Sequence, residues 1–369
     1  LFRAISTTSN VAMSTTQKFG TMTVNSLTLN AGAGLSAINN AAVLTIGSGG
    51  VLVFDATAGF SGGIIQAGGN QFIVHQMDTV NVLNFNSSLL GRHDLLPSGA
   101  GTMSINKQQF YTGGSQTTIN DGTLILNSGV DNTLTVLPTA TTPTLLSVRV
   151  NGGTLDLNGK NQAVGRIDSV SSLAGSAGTV TNSSGTTATL TATYDASTTF
   201  AGVISGNLNF TRGGNNTTTF TSTSTYTGAT TVRNGTLVLR DMGRLSSTSG
   251  VTVNFGGLTL DDTGLYTSAD LAGQRVTAAI SLQGSTLTYL GAQSSATVGA
   301  VTLQAGASTL TVTPASNSVA VSTLTLGSLV RNAGATLNFT GSNPGLGGTN
   351  SSQIIITSAP TLTNSLIGG

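Results

Sequence analysis

Apolar and polar residues alternate in short runs along the whole chain. From Thr236 to Leu239, Leu237 and Leu239 fall on one side of an extended strand and Val238 falls on the other. The period of two indicates strands that bury one face. The pattern therefore predicts a chain built from short β-strands.

One motif recurs: a small residue pair, a Leu, any residue, and a second apolar residue. Its copies begin at Asp121, Gly152, Asn234, Gly256, Gly284, Val321 and Gly334. Leucines that mark this periodicity lie roughly 20 to 35 residues apart, as solenoid coils do; they are Leu124, Leu155, Leu190, Leu208, Leu237, Leu258, Leu287, Leu310 and Leu337. A single coil cannot bury its own Leu row, whereas coils stacked at about 4.8 Å can. We expect one continuous parallel β-helix (β-solenoid) over residues 1–369.

Short Gly and Asn turns precede most copies, as at Asn120-Asp121-Gly122, Asn151-Gly152-Gly153 and Asn234-Gly235. These residues accept positive φ and turn the chain sharply into each strand. A pair of β-sandwiches would also show short strands and turn signals. We favour the solenoid because the motif returns along the chain and no sandwich signature does.

Composition narrows the classes of protein further. Only 7% of the residues are charged, the acidic ones are all Asp, and Gly is very frequent at 49 residues. Ser, Thr and Asn fill most polar positions, which suits strands and turns rather than helices. Regularly spaced apolar residues, 38% of the chain, argue against disorder. The net charge of +1 offers no track for nucleic acid, and no apolar stretch is long enough to cross a membrane as a helix.

Two segments resemble the passenger-associated transport repeat (autotransporter-associated β-strand repeat) of bacterial autotransporters. The clearer one spans 199–241, with the core YTGATTVRNGTLVL from Tyr226 to Leu239, and the looser one spans 101–126. The resemblance implies a right-handed parallel β-helix that is exported and displayed outside the bacterial cell. We expect a processed chain or one segment of a longer protein, with an extracellular or cell-surface location.

Candidate catalytic groups are few. Asp261 and Asp262 form the only adjacent carboxylate pair, and on a strand they would point to opposite faces, which favours a turn or solvated role. With Asp241, Arg240 and Arg244 they make the densest charged neighbourhood. A lyase-like site would need carboxylates stacked on successive coils around Ca²⁺ with a basic residue nearby; the spacing of Asp241 and Asp261 permits that stacking.

The two histidines do not complete a metal site. His93 lies between Arg92 and Asp94, which favours a local ion pair or loop contact, and His75 follows a strand-like run that we expect to be edge-exposed. Zinc would need three or four convergent ligands. Cysteine is absent. We therefore predict no catalytic residues, no metal and no cofactor.

Three functions remain open. We favour a structural fibre or surface module that associates with identical subunits or neighbouring modules through terminal strand edges, because Thr21–Asn30 and Ser352–Pro360 are strand-like and show no capping helix. The alternative is an adhesin that binds glycans or other cells, although Trp is absent and Tyr is limited to five; Tyr266 and Tyr289 are its candidate contacts. The third is a β-helical polysaccharide lyase or hydrolase.

Overall fold

The computed structural model describes residues 7–91, 94–111, 116–136, 146–193, 196–292, 294–314, 321–341, 351–360, 362–363 and 366–367. The chain forms two compact units. The first consists of Leu1–Val170 and Ala177–Ala188, and the second of Ser171–Ser176 and Thr189–Gly369.

The first unit is built from short strands that follow one another at brief turns. They are β1 Asn10–Met13, β2 Gln17–Phe19, β3 Met22–Val24, β4 Ser26–Leu29, β5 Gly34–Ala37, β6 Val43–Ile46, β7 Gly50–Val53, β8 Gly59–Ala67, β9 Gln71–Gln76, β10 Val82–Gly91, β11 Asp94–Ser98, β12 Thr102–Ile105, β13 Gln109–Tyr111, β14 Gln116–Ile119, β15 Thr123–Leu126, β16 Leu134–Val136, β17 Ser147–Val150, β18 Thr154–Asp156, β19 Gln162–Val164, β20 Ile167–Asp168 and β21 Thr179–Thr181.

The second unit is also built from short strands, and β22 begins at Ala188, the last residue of the first unit. Its strands are β22 Ala188–Ala192, β23 Thr198–Phe200, β24 Val203–Ile204, β25 Leu208–Arg212, β26 Thr217–Phe220, β27 Thr223–Ser224, β28 Thr230–Arg233, β29 Thr236–Arg240, β30 Arg244–Leu245, β31 Val251–Asn254, β32 Gly257–Asp261, β33 Ile280–Gln283, β34 Thr286–Gly291, β35 Ser295–Pro314, β36 Ser322–Arg331, β37 Ala335–Gly341, β38 Ser352–Ser358, β39 Leu362–Thr363 and β40 Leu366–Ile367. A single 3₁₀ turn, Ala269–Leu271, interrupts the described strands.

Most described strands pair in parallel with a strand that lies roughly 20 to 30 residues further along the chain, which is the geometry of solenoid coils. β39 and β40 instead pair with each other as antiparallel strands. In the first unit one sheet has the order β1-β4-β7-β9-β11-β14-β17-β20. In the second unit one path runs β23-β26-β29-β32-β34 and another β25-β28-β31-β33, and the long strand β35 pairs with both. The chain is a parallel β-solenoid, as predicted, and not a pair of β-sandwiches. Its right-handed sense and its continuity over 1–369 stay predictions.

The core consists of apolar columns that run from coil to coil. Leu237, Leu258, Leu287 and Leu310 are successive register partners and are all buried. Leu239 is buried and Val238 is only partly so, which confirms the predicted alternation. The column departs from prediction at the last copy, because Phe339, and not Leu337, is the partner of Leu310.

The turns between strands adopt the predicted left-handed backbone. Gly122, Gly153 and Gly235 all have positive φ, and Asn234 reaches +59° beside Gly235. Outward Asn side chains then bridge neighbouring coils. In the first unit Asn84, Asn106, Asn127 and Asn158 form a ladder in which each amide nitrogen donates to the preceding side-chain oxygen at 2.9 Å. The Asn-rich coils thus use their polar groups to hold one coil to the next.

Candidate functional site

A groove of about 680 Å³ lies on the outer face of the second unit. Its floor is a row of outward side chains on adjacent parallel strands, in which Thr199 pairs with Thr219 and Thr219 pairs with Val238. These residues point outward because Phe200, Phe220 and Leu239, one position along each strand, take the buried side. The groove floor therefore carries hydroxyl and methyl groups but no bulky side chain.

Charged groups line one side of this groove. Arg240 and Asp261 are register partners on β29 and β32, and Arg240 Nη1 lies 3.8 Å from Asp261 Oδ2. Asp261 Oδ1 also accepts hydrogen bonds from the backbone N–H of Thr263 at 2.8 Å and from its hydroxyl at 2.6 Å. Asp241, directly after β29, lines the same groove and accepts a hydrogen bond from the N–H of Leu265.

The loop after β32 forms the rim. Leu265, which lines the groove, is 73% exposed, and Tyr266, the next residue of the same loop, is 41% exposed. Ser172 lies on the other part of the lining, where its carbonyl accepts a hydrogen bond from the Thr221 hydroxyl at 2.9 Å. The groove thus combines hydroxyls, one guanidinium, two carboxylates and an apolar rim.

Behind the rim lies a fully buried ion pair. Arg275 Nε donates to Asp262 Oδ1 at 2.9 Å, and both side chains are completely buried. The Asp262 carboxylate also accepts hydrogen bonds from the hydroxyl groups of Ser268, Ser294 and Tyr289, at 2.8, 2.7 and 3.0 Å. Burial raises the pKa of the Tyr289 phenol well above its usual range, so this hydroxyl donates rather than ionises.

Arg275 also fixes the groove from the inside. Its Nη1 donates to the carbonyls of Asp241 and Gly243, at 2.7 and 2.9 Å, while its Nη2 donates to the carbonyl of Tyr266 at 2.9 Å. One buried guanidinium therefore ties the charged wall to the rim. A buried ion pair whose hydrogen-bonding groups all have partners holds the surrounding residues in a defined geometry. Any displacement would leave a buried charge without a partner, which is energetically costly.

The predicted charged neighbourhood is only partly assembled. Arg240, Asp241 and Asp261 come together in the groove, whereas Asp262 points inward and Arg244 begins the separate short strand β30. Asp261 takes the turn role that we expected. The turn or solvated role predicted for Asp262 is wrong, because the next residue of an extended strand faces the opposite side, which here is the protein interior.

Tyr289 is likewise misplaced by the sequence prediction. It is completely buried, so it cannot stack on a glycan, whereas Tyr266 is accessible. The sequence missed Arg275, Ser268 and Ser294 as partners of Asp262, since nothing in their spacing marks them. The Thr row of the floor carries a signal, because Thr217 and Thr219 alternate with buried positions in β26.

His75 does not line the groove. His75 is exposed, as predicted, and its Nδ1 lies 2.9 Å from the Ser98 hydroxyl. The prediction that it lies on an edge strand is wrong, because β9 lies between β7 and β11 in the sheet. Arg92 and His93 lie outside the described residues. Within the part of the chain that the structure describes, no group of three or more His, Cys, Asp or Glu side chains could hold a metal ion.

In the described ranges no helix has the length and apolar character needed to cross a membrane. No protein-family model, curated protein or solved structure matches the chain.

Proposed function

We propose that the chain is an extracellular structural module of the autotransporter-passenger type, which extends by adding further coils. The observation that carries this proposal is an apolar core column of the second unit that no described strand covers beyond β38. Leu324 and Leu326 are completely buried, while their partners Ile354 and Ile356 on β38 remain partly exposed. The neighbouring column ends in the same way, because Phe339 is 46% exposed opposite the buried Leu310.

These side chains border an open apolar hollow of about 520 Å³, which Val312, Phe339, Ile354 and Ile356 line. β38 pairs only with β36 among the described strands, so no described strand pairs with the backbone of its other edge. One more parallel coil would bury the isoleucines and satisfy this edge together. We assign that coil to a second copy of the chain.

The ladders of the first unit support the scaffold role. Asn side chains that could bind a ligand instead bridge one coil to the next, and Asp168 is held by two guanidinium groups, with Arg149 at 2.9 Å and Arg166 at 3.4 Å. The adjacent carboxylates expected of a hydrolase are not available as a pair, since Asp262 is bound to Arg275 inside the protein. A non-enzymatic function therefore remains the proposal that we favour.

Surface labelling tests the proposed location. The chain has no Cys, so a single cysteine gives a unique label. Thr288→Cys, outward on β34, should react with a membrane-impermeant maleimide on intact bacteria that carry the full-length gene. Leu287→Cys is the matched control, because this neighbouring side chain is completely buried and should react only after unfolding. Reaction of Thr288→Cys only after cell lysis would contradict an extracellular location.

An adhesin is the second candidate, and the groove of the second unit is the specific observation that favours it.

A further inference from the structure

We propose that the groove of the second unit binds a segment of a neutral polysaccharide. This assignment gives the adhesin alternative a site and a ligand class, and it does not depend on self-assembly. The groove differs from the rest of the solenoid surface because it brings hydroxyls, a guanidinium, carboxylates and exposed apolar side chains into one concave region. Most of the lining residues are polar, so the groove offers hydrogen-bonding groups for a ligand that carries many hydroxyls.

The floor suits a linear chain of sugars. Thr199, Thr219 and Val238 repeat along the stack of parallel strands, with neighbouring strands about 4.8 Å apart. This repeat is close to the length of one pyranose unit. A polysaccharide lying across the strands would therefore meet an equivalent position with each successive sugar.

The charged wall selects the kind of polysaccharide. The 3.8 Å separation of Arg240 Nη1 and Asp261 Oδ2 is longer than a hydrogen bond, so the half-exposed guanidinium keeps donor capacity for a ligand; on the mostly buried Asp261 side chain the acceptor that remains is Oδ2, because Oδ1 is bonded to Thr263. A carboxylate can accept hydrogen bonds from two neighbouring sugar hydroxyls, and the guanidinium can donate to a hydroxyl or ring oxygen. With Asp241 and Asp261 against Arg240, the wall carries a net negative charge and disfavours uronates and sulfated sugars.

The rim supplies the apolar contact that pyranose C–H faces need. Leu265 and Tyr266 are exposed beside the wall, and Arg275 holds the Tyr266 carbonyl at 2.9 Å. The hydrogen bond from the Leu265 N–H to Asp241 fixes the same loop. Because the rim is held before a ligand arrives, binding loses little free energy to ordering the loop.

The experiment measures binding of purified full chain to cellohexaose, xylohexaose, mannohexaose and N,N′-acetylated chitohexaose by isothermal titration calorimetry, with polygalacturonate as the anionic comparison. We expect at least one neutral hexasaccharide to bind and polygalacturonate not to bind. Thr219→Tyr fills the floor and should abolish binding. Thr311→Tyr is the matched control, since Thr311 occupies the same outward row, between Thr288 and Thr340, away from the groove.

Asp261→Asn is a second test of binding, in which the size of the side chain does not change. Loss of a hydrogen bond to a charged group should weaken binding about tenfold. Both Thr→Tyr variants are compared with the wild type by thermal unfolding, so that a loss of fold is recognised. The proposal is overturned if no neutral hexasaccharide binds, if polygalacturonate alone binds, or if Asp261→Asn and a well-folded Thr219→Tyr protein both bind like the wild type. Any of these results would leave the scaffold role untouched.

Discussion

Asp262 and Arg275 are ions buried in a chain that carries few ions at all. Each would be destabilising alone, because moving a charge out of water costs several kcal/mol unless partners replace the lost hydration. Here the carboxylate receives three side-chain donors besides Arg275, and the guanidinium reaches three backbone carbonyls. The pair thus fixes the loop after β32 in a single arrangement.

Arg275→Leu should therefore lower the free energy of unfolding by about 3–5 kcal/mol, because Asp262 is left buried without its counter-ion. Urea denaturation followed by circular dichroism measures the change. Arg240→Leu is the control: the Arg240 side chain is 45% exposed and its 3.8 Å contact with Asp261 is longer than a hydrogen bond, so its removal should change the free energy of unfolding by at most about 1 kcal/mol. Equal effects of the two substitutions would show that the buried pair has no special role.

The sequence predicted which side chains are buried wherever burial follows the alternation of the strand. It did not predict the partners of a buried side chain, because these come from other parts of the chain. The inward Leu237 and Leu239 could be predicted from period alone. The same period places Asp262 inward, two residues after the buried Leu260, but its counter-ion could not be predicted, since Arg275 lies in a loop with no repeat pattern.

At the scale of elements, the turn before β29 shows why Gly recurs ahead of the Leu motif. Gly235 has a φ of +56°, and a Cβ there would lie 2.4 Å from the carbonyl oxygen of Asn216 in the preceding coil. The N–H of Gly257 in the following coil donates to the Gly235 carbonyl at 2.8 Å. The turn therefore sits between two coils with no space for a side chain.

Gly235→Ala should destabilise the second unit by about 1–3 kcal/mol, through left-handed backbone strain and the contact with Asn216. Gly250→Ala is the matched control, because its Cβ would meet only the carbonyl oxygen of Ala279, at 4.0 Å. Thermal and urea unfolding of both variants measure the difference. A Gly235→Ala protein as stable as the Gly250→Ala protein would mean that the turn relaxes without cost.

The motif predicted strands well but did not fix their register. Leu337 and Phe339 lie on the same face because they are two residues apart, so alternation allows either to continue the Leu column. The structure places Phe339 opposite Leu310 and Leu337 opposite Ser308. The groove was beyond sequence prediction for a related reason, because its lining comes from Ser172, four strands and a loop that only coil stacking brings together.

At the scale of the whole molecule, the uncovered core column of β38 is the feature that an isolated scaffold would not need. Ile354 and Ile356 continue the columns of Leu324 and Leu326, and exposed apolar strand edges favour pairing with another chain. A head-to-tail contact that does not close on itself gives an open filament. We therefore expect self-association to depend on the inward side chains of β38 and not on its outward ones.

Sedimentation velocity of the purified chain over a range of concentrations, with negative-stain electron microscopy of the same samples, tests this claim most directly. The wild type should form concentration-dependent oligomers extended along the direction of coil stacking. Ile354→Lys, which places a charge on the core column, should remain monomeric, while Ile355→Lys, on the outward face of the same strand, should assemble like the wild type. A wild-type protein that stays monomeric at every concentration, or an Ile354→Lys protein that assembles equally well, would contradict the proposed scaffold function.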